Sequence, residues 1–155
     1  MKRVFVKQTE KKGKGIFAAR NFKKGTMVLK FKIKPITKKQ MMRLSKDDKN
    51  HLGYAGEGRY FVLRPPERFL NHSCSPTTYD SVDRLIAMRN IKKGEEITID
   101  YAIAGFDNWK MRCYCGSKNC RKIIHGKFTK LPKKLQKKYH KYLPGWYKKE
   151  FGGKK

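Results

Sequence analysis

The chain has 155 residues, with 40 Lys plus Arg against 12 Asp plus Glu, a formal charge of +28 at pH 7. Apolar residues make up 38%, enough for the core of one modest domain, so wholesale disorder is excluded despite the charge. No apolar run approaches the ~20 residues of a membrane span, and the start, MKRVFVKQTEKKGKG, lacks the apolar stretch and small-residue cleavage site of a secretory signal; the expectation is an intracellular protein with no membrane partner.

Such a surplus of positive charge draws polyanions through release of their counterions. A solvated surface built of lysine gives the same composition, and composition alone leaves both readings open.

Along the chain, Arg20-Asn21-Phe22-Lys23-Lys24-Gly25 recurs as Arg89-Asn90-Ile91-Lys92-Lys93-Gly94. Each copy follows apolar, alanine-containing residues and precedes a β-branched or apolar run. Each therefore reads as strand, Lys-Lys-Gly turn, strand, and predicts two similar β-units in one small sheet assembly. In the second unit Ile97, Ile99 and Tyr101 alternate with Thr98 and Asp100, which places them on opposite faces of a strand. Between the units, residues 36–50 form a helical candidate with Thr37 as cap and Met41, Met42 and Leu44 as apolar positions. Residues 58–64 read as a short strand ended by Pro65-Pro66, and Pro65 to Thr78 as loop.

The four cysteines are Cys74, Cys113, Cys115 and Cys120. In a reducing compartment metal binding or free thiols are favoured over disulfides. A Gly116-Ser117 turn can fold three thiolates around one ion, and zinc wants four soft ligands at ~2.3 Å. Cys74 is the only cysteine left to complete such a set. Unrelated buried thiols remain the alternative on spacing alone. Beyond Cys120, residues 121–155 carry 13 Lys plus Arg and one acid. Leu131, Leu135, Tyr139 and Tyr142 or Leu143 fall on one helix face, with Pro132 at the first turn and Pro144-Gly145 as the stop. The stripe reads as packing onto the domain, and the lysine face as a possible polyanion contact.

Four stretches together resemble the SET-domain family of protein lysine methyltransferases. Gly13-Lys14-Gly15-Ile16-Phe17-Ala18 is similar to its Gly-x-Gly opening. Arg68-Phe69-Leu70-Asn71-His72-Ser73-Cys74-Ser75-Pro76 and Gly94-Glu95-Glu96-Ile97-Thr98-Ile99-Asp100-Tyr101 resemble its two signatures, and Cys113-x-Cys115-x4-Cys120 its post-SET zinc segment. The resemblance implies a mostly β fold, the SET-domain β-clip of small antiparallel sheets. In it the Asn-His-Ser-Cys segment and the chain ending at the tyrosine cross in a pseudoknot, and here a basic C-terminal helix is appended. The implied organisation is residues 3–104 as SET domain, 109–126 as post-SET zinc segment and 127–155 as basic tail. No cysteine-rich pre-SET segment is present in this sequence, so a minimal form is expected.

The chemistry implied by the resemblance is methyl transfer from S-adenosylmethionine to a lysine ε-amine of a histone, chromatin-like or other nucleic-acid-associated protein. Tyr101 is the implied catalytic residue. Lys14, Gly15, Ile16, Arg68, Phe69, Asn71 and His72 would hold the cofactor, and Ile123 or Ile124 would pack on its adenine. Cys74, Cys113, Cys115 and Cys120 would bind one structural Zn2+, and Asp100 would hold the knot. The family often has Asn where Thr77 stands, an active-site tyrosine where Phe31 stands, and Phe or Tyr where Ile99 stands. Phe31 and Ile99 are thus the expected substrate channel, with room for a methylated amine and hence di- or trimethyl products. The runner-up is a catalytically inactive, zinc-stapled nucleic-acid-binding protein, motivated by the charge. The basic surface and tail are the expected nucleic-acid contact, in the nucleus of a eukaryote or the cytoplasm or nucleoid of a prokaryote.

Overall fold

A computed structural model of the chain describes residues 2–151, apart from the side chains of Ala104 and Phe106. The strands are β1 (Val4–Gln8), β2 (Lys14–Ala18), β3 (Met27–Lys30), β4 (Pro35–Ile36), β5 (Leu52–Tyr54), β6 (Tyr60–Val62), β7 (Asn71–His72), β8 (Thr78–Asp80), β9 (Arg84–Ala87), β10 (Glu96–Ile99), β11 (Phe106–Arg112) and β12 (Ile123–Lys127). The helices are α1 (Lys38–Met42), α2 (Lys46–Lys49), α3 (Tyr101–Ala104), α4 (Lys133–Tyr139) and α5 (Gly145–Phe151). The strands form small sheets in the orders β1-β2-β10-β7, β3-β9-β8, β4-β6-β5 and β11-β12. All pairings are antiparallel except β10 with β7, which runs parallel over Thr98–Asn71 and Ile99–His72.

The sequence repeat is realised as a reciprocal clasp. Phe22 and Ile91 exchange both backbone hydrogen bonds, at 2.8 and 2.9 Å. Asn21 Oδ1 accepts from Lys93 N–H (2.7 Å), and Asn90 Oδ1 accepts from Lys24 N–H (3.0 Å). The glycine closing each copy has positive φ, 81° at Gly25 and 87° at Gly94, a conformation that costs other residues steric strain. The two β-units therefore pack against each other through the residues that make them alike.

Three local expectations are corrected. The span 36–50 is two short helices. Thr37 does cap α1 in a capping box with Gln40, but Ser45 starts a new helix by accepting from Asp48 N–H. Asn71-His72, read as loop, is β7. Pro144-Gly145 opens α5 as well as closing the preceding turn, because the Pro144 carbonyl accepts from Tyr147 and Lys148 N–H; proline is compatible with a helix start, where its missing N–H is not needed.

Apolar burial falls into three neighbouring clusters. The main one joins Ile16, Val28, Phe31, Leu70, Leu85, Ile97 and Ile99, with Tyr101 packed against it. A second joins α3 to the C-terminal helices through Ile103, Leu131, Tyr139, Leu143, Trp146 and Tyr147. The stripe read from the sequence thus docks onto the domain. The third holds Cys74, Cys113 and Ile124, flanked by Cys115, Cys120 and Tyr101. Glu150 fastens α5 to the β5–β6 turn by accepting from Tyr54 hydroxyl (3.1 Å) and Glu57 N–H (2.6 Å). Among the described residues, no helix is long and apolar enough to cross a membrane.

Asp80 sits opposite Leu85 in the β8–β9 ladder, and among the described residues its buried Oδ1 has no partner. Burial pushes its carboxyl up to about 7. The native chain therefore holds a proton that the unfolded chain, with its ordinary value of 3.8, has already released. Stability from this group is complete below the unfolded value and is lost as pH rises through about 7. Asp80→Asn removes the loss, so the variant should exceed the wild type by on the order of 2 kcal/mol at about pH 8 and by nothing near pH 4. Urea unfolding at both pH values checks this; a difference independent of pH contradicts it.

Candidate functional site

The candidate site forms where β7 lies parallel to β10. Ser73 N–H continues the ladder to Ile99 carbonyl at 2.9 Å. Asp100 then ends β10, and its carboxylate accepts from Ala102 N–H (3.1 Å), turning the chain into α3. Tyr101, which the alternation placed at a strand end, becomes the first residue of α3. Its N–H donates to His72 Nδ1 (3.2 Å) and its hydroxyl donates to Leu70 carbonyl (2.8 Å). The Leu70–His72 segment therefore holds the tyrosine at both its backbone and its hydroxyl.

Asp100 is fully buried and is answered by a two-pronged Arg121 guanidinium at 2.6 and 2.8 Å. The paired geometry offsets the desolvation that an isolated buried carboxylate would suffer. It also ties the chain after the last cysteine to the knot. Thr77 stands where the resemblance leads one to expect asparagine. Its hydroxyl accepts from Thr98 N–H (2.8 Å), while its own N–H donates to the Thr98 hydroxyl (3.3 Å). The local cap is replaced by a reciprocal one.

Next to the Leu70 carbonyl that holds the tyrosine, Asn71 meets the Gly-x-Gly segment. Asn71 Nδ2 donates to Lys14 carbonyl (3.1 Å) and Glu96 Oε1 (2.9 Å), and Lys12 Nζ closes on Glu96 at 2.6 Å. A side chain at Gly15 would lie 2.8 Å from Glu96 Oε1 and 3.0 Å from Asn71 Nδ2, so a larger residue would push these two side-chain ends aside. Lys14 Nζ stands over the Phe69 ring at 5.3 Å, and Ile16 is buried beneath. Arg68 is turned toward α2, donating to Asp47 Oδ2 at 2.8 Å. Phe31 and Ile99 are both buried in the main core.

The sulfur cluster sits on the other side of His72. Ligand-type atoms of His72, Cys74, Cys113 and Cys115 all lie within 4.8 Å of one another. Cys74 Sγ and Cys113 Sγ are 3.8 Å apart, which is the edge of a tetrahedron with ~2.3 Å zinc–sulfur bonds. Cys120 flanks the cluster, its sulfur 3.7 Å from Cys113 carbonyl, on a turn closed by Cys120 N–H to Ser117 carbonyl.

The hydrogen bonds on His72 decide its part. Nδ1 accepts from Tyr101 N–H, so the neutral ring carries its proton on Nε2. Nε2 faces Cys74 Sγ at 3.3 Å. Burial holds the imidazole down to about 4, so it is neutral near pH 7. In that tautomer His72 donates to the Cys74 sulfur; the ligand-type atoms that lie together are those of His72, Cys74, Cys113 and Cys115, and Cys120 stands beside that group. Arg121 N–H also points at Cys74 Sγ (3.3 Å). Burial pushes the Cys74 and Cys113 thiols up, which is the environment in which a cation, rather than solvent, would compensate thiolate charge. In Cys115 burial is outweighed by hydrogen bonds from backbone and the Ser117 hydroxyl (2.8 Å), and the thiol is held at about 6. The donor set fits a soft divalent ion.

Trp109 had no part in the sequence reading. On β11 it packs edge-on to Tyr101, with ring centroids 6.0 Å apart. A side chain on Gly126 would lie 2.3 Å from its ring, so that glycine on β12 makes the indole's place. A lone glycine within a strand pattern is the signal that marked it.

Comparison with known proteins places this geometry. The SET domain model matches residues 13–102. The chain is 32% identical over 148 residues to the H3 lysine-36 specific histone-lysine N-methyltransferase of Candida albicans, covering 81% of this chain and 17% of that protein. It is 32% identical over 139 residues to human histone-lysine N-methyltransferase 2D, covering 79% of this chain and 2% of that protein. The methyltransferase domain of human histone-lysine N-methyltransferase SETMAR superimposes with a TM-score of 0.58 at 24% identity, over 77% of this chain and 56% of that one. KRYPTONITE, solved in complex with mCHG DNA and SAH, gives 0.59 at 21% identity, over 77% of this chain and 28% of that one. The chain belongs to the SET-domain family, and it spans less than a fifth of the length of the curated relatives it matches.

If the cluster is a zinc staple, chelation should raise amide hydrogen exchange across 110–126 by about tenfold or more while β1 and β2 keep their protection. Unchanged exchange in 110–126 after metal removal contradicts the assignment.

Proposed function

We propose that the chain is an S-adenosylmethionine-dependent protein-lysine N-methyltransferase acting on a lysine of a histone, chromatin-like or other nucleic-acid-associated protein. The observation that carries this reading is Tyr101, held at the β7–β10 crossing by Leu70 carbonyl and His72 Nδ1. The histone methyltransferase names of the relatives support the substrate class, and SAH in KRYPTONITE supports the donor. The same reading implies an intracellular setting, a nucleus in a eukaryote and cytoplasm or nucleoid in a prokaryote.

S-adenosylmethionine, when bound, supplies an activated methyl on a sulfonium. Lys14, Gly15, Ile16, Phe69, Asn71 and His72 are the residues that would hold it, with Arg68 anchoring the turn before Asn71. Asn71 directs its Nδ2 to protein acceptors, and its Oδ1 accepts from no described residue, leaving an acceptor beside Lys14 carbonyl for a ligand ammonium. Glycine at position 15 keeps the backbone open to close approach.

Tyr101 acts as a positioned oxygen and not as a base. Burial pushes its phenol up to about 12, so it stays protonated, and its proton is committed to Leu70 carbonyl. Its lone pairs remain for an acceptor amine N–H and for polarised C–H groups. Phe31 and Ile99 are apolar, and such surroundings disfavour a lysine ammonium and lower its pKa from ~10.4 toward the nucleophilic amine. The main work is alignment and exclusion of water. Trp109 presents an aromatic wall beside Tyr101, suited to an alkylated ammonium. Zn2+ held by Cys74, Cys113, Cys115 and Cys120 would be structural, fixing β11 and β12 over the crossing.

Labelled methyl donor and a lysine-rich protein mixture, read by mass spectrometry, test the reading. The wild type should give di- and trimethyl lysine, because Ile99 leaves room for a methylated amine. Tyr101→Phe should lower turnover by about a hundredfold or more with donor affinity within about twofold. A fully active Tyr101→Phe protein, or a wild type that binds no donor, contradicts the proposal.

A further inference from the structure

The methyl-transfer reading uses the side of β12 that carries Ile124 and Gly126, since Gly126 abuts Trp109 and Ile124 packs in the sulfur cluster with Tyr101. Side chains alternate along a strand, so Ile123, His125 and Lys127 face the opposite way. There they line a groove of ≈ 340 Å³ with Ala102, Arg121 and Lys130, continued by the start of α4.

The groove gathers basic groups and nothing acid that is accessible. Its neighbouring carboxylate, Asp100, is fully buried and occupied by Arg121. Among the described residues, neither Lys127 nor Lys130 is in ion-pair contact with a carboxylate. Lys122, Lys133 and Lys134, next in sequence to lining residues Arg121, Ile123 and Pro132, are exposed. Like charges held this close repel, and an anion bridging them relieves the repulsion. Ile123 is 54% exposed at the edge, an apolar contact suited to a sugar.

We infer that this groove is the docking place of a nucleic-acid backbone, with phosphates against Lys127 and Lys130 and sugar against Ile123. This rests on the proposed action at nucleic-acid-associated proteins and gives a location to the nucleic-acid contact expected from the basic surface and tail. A lipid surface is a poorer match. Membrane binding by a surface helix needs a free apolar face, and the apolar stripe of the neighbouring helical segment, Leu131, Tyr139 and Leu143, is buried in the protein. The placement also fits catalysis on a nucleic-acid-bound substrate. Ala102 directly follows Tyr101, yet the groove opens on the far side of the β11–β12 hairpin from Trp109, so a docked backbone leaves the tyrosine side free.

The test is binding of a labelled DNA duplex across a salt series, followed by fluorescence anisotropy without methyl donor, so that its outcome is independent of any activity. Lys127→Gln/Lys130→Gln should weaken binding by about tenfold and reduce the slope of log affinity against log salt by about 2. Lys38→Gln/Lys39→Gln removes the same charge from exposed positions on α1 and should stay within about twofold of wild type. Thermal melts of both variants report that the fold is intact. Equal weakening by the two variants, which marks diffuse charge, overturns the assignment. So does a wild type that ignores the duplex, or one that binds anionic vesicles through Lys127 and Lys130 in its place.

Discussion

The rest of the structure depends on one contact, the parallel pairing of Asn71-His72 with Thr98-Ile99. Two residues on each side make a weak ladder, and it survives because its ends are tied elsewhere. Tyr101 N–H closes on His72 Nδ1, Arg121 closes on Asp100, and Cys74 brings the sulfur cluster to the same point. The Asn71 contacts, the tyrosine and the thiols therefore all meet at a single crossing. A segment read as loop becomes the keystone because it is flanked by residues that bind other parts of the chain.

Three acids of this basic chain tie together the segments that lead into that crossing. Glu96 is taken by Lys12 and Asn71, Asp47 by Arg68, and Asp100 by Arg121. Surplus lysines are left on the outside, where hydration is cheap and counterions are plentiful. The distribution reconciles a well-packed core with a strong positive field. It also separates two kinds of work, since the crossing handles neutral or internally paired groups and the far face of β12 handles an external anion.

Much of this was legible in the sequence where function sits in contiguous residues. Arg68 to Pro76 and Gly94 to Tyr101 carried both crossing strands, and the spacing of Cys113, Cys115 and Cys120 carried the thiol turn. The echo of Arg20 to Gly25 in Arg89 to Gly94 was visible, but its mutual clasp was not, because pairing between distant copies leaves no local period. Tyr101 at the start of a helix was hidden by a strand-like alternation that Asp100 interrupts with its cap. Trp109 escaped for a similar reason: its place is set by Gly126 across a hairpin. The second C-terminal helix was missed because Pro144 was read as a stop, although proline serves equally as a start when the following residues have a core to join.

The crossing can be observed directly through His72. Nitrogen NMR of the labelled ring should show a neutral imidazole protonated at Nε2 throughout the neutral range, titrating only toward about pH 4, with the bare Nδ1 accepting from the Tyr101 amide. An imidazole protonated at Nδ1, or one that charges near its ordinary value of 6.5, would mean that the two segments do not meet as described.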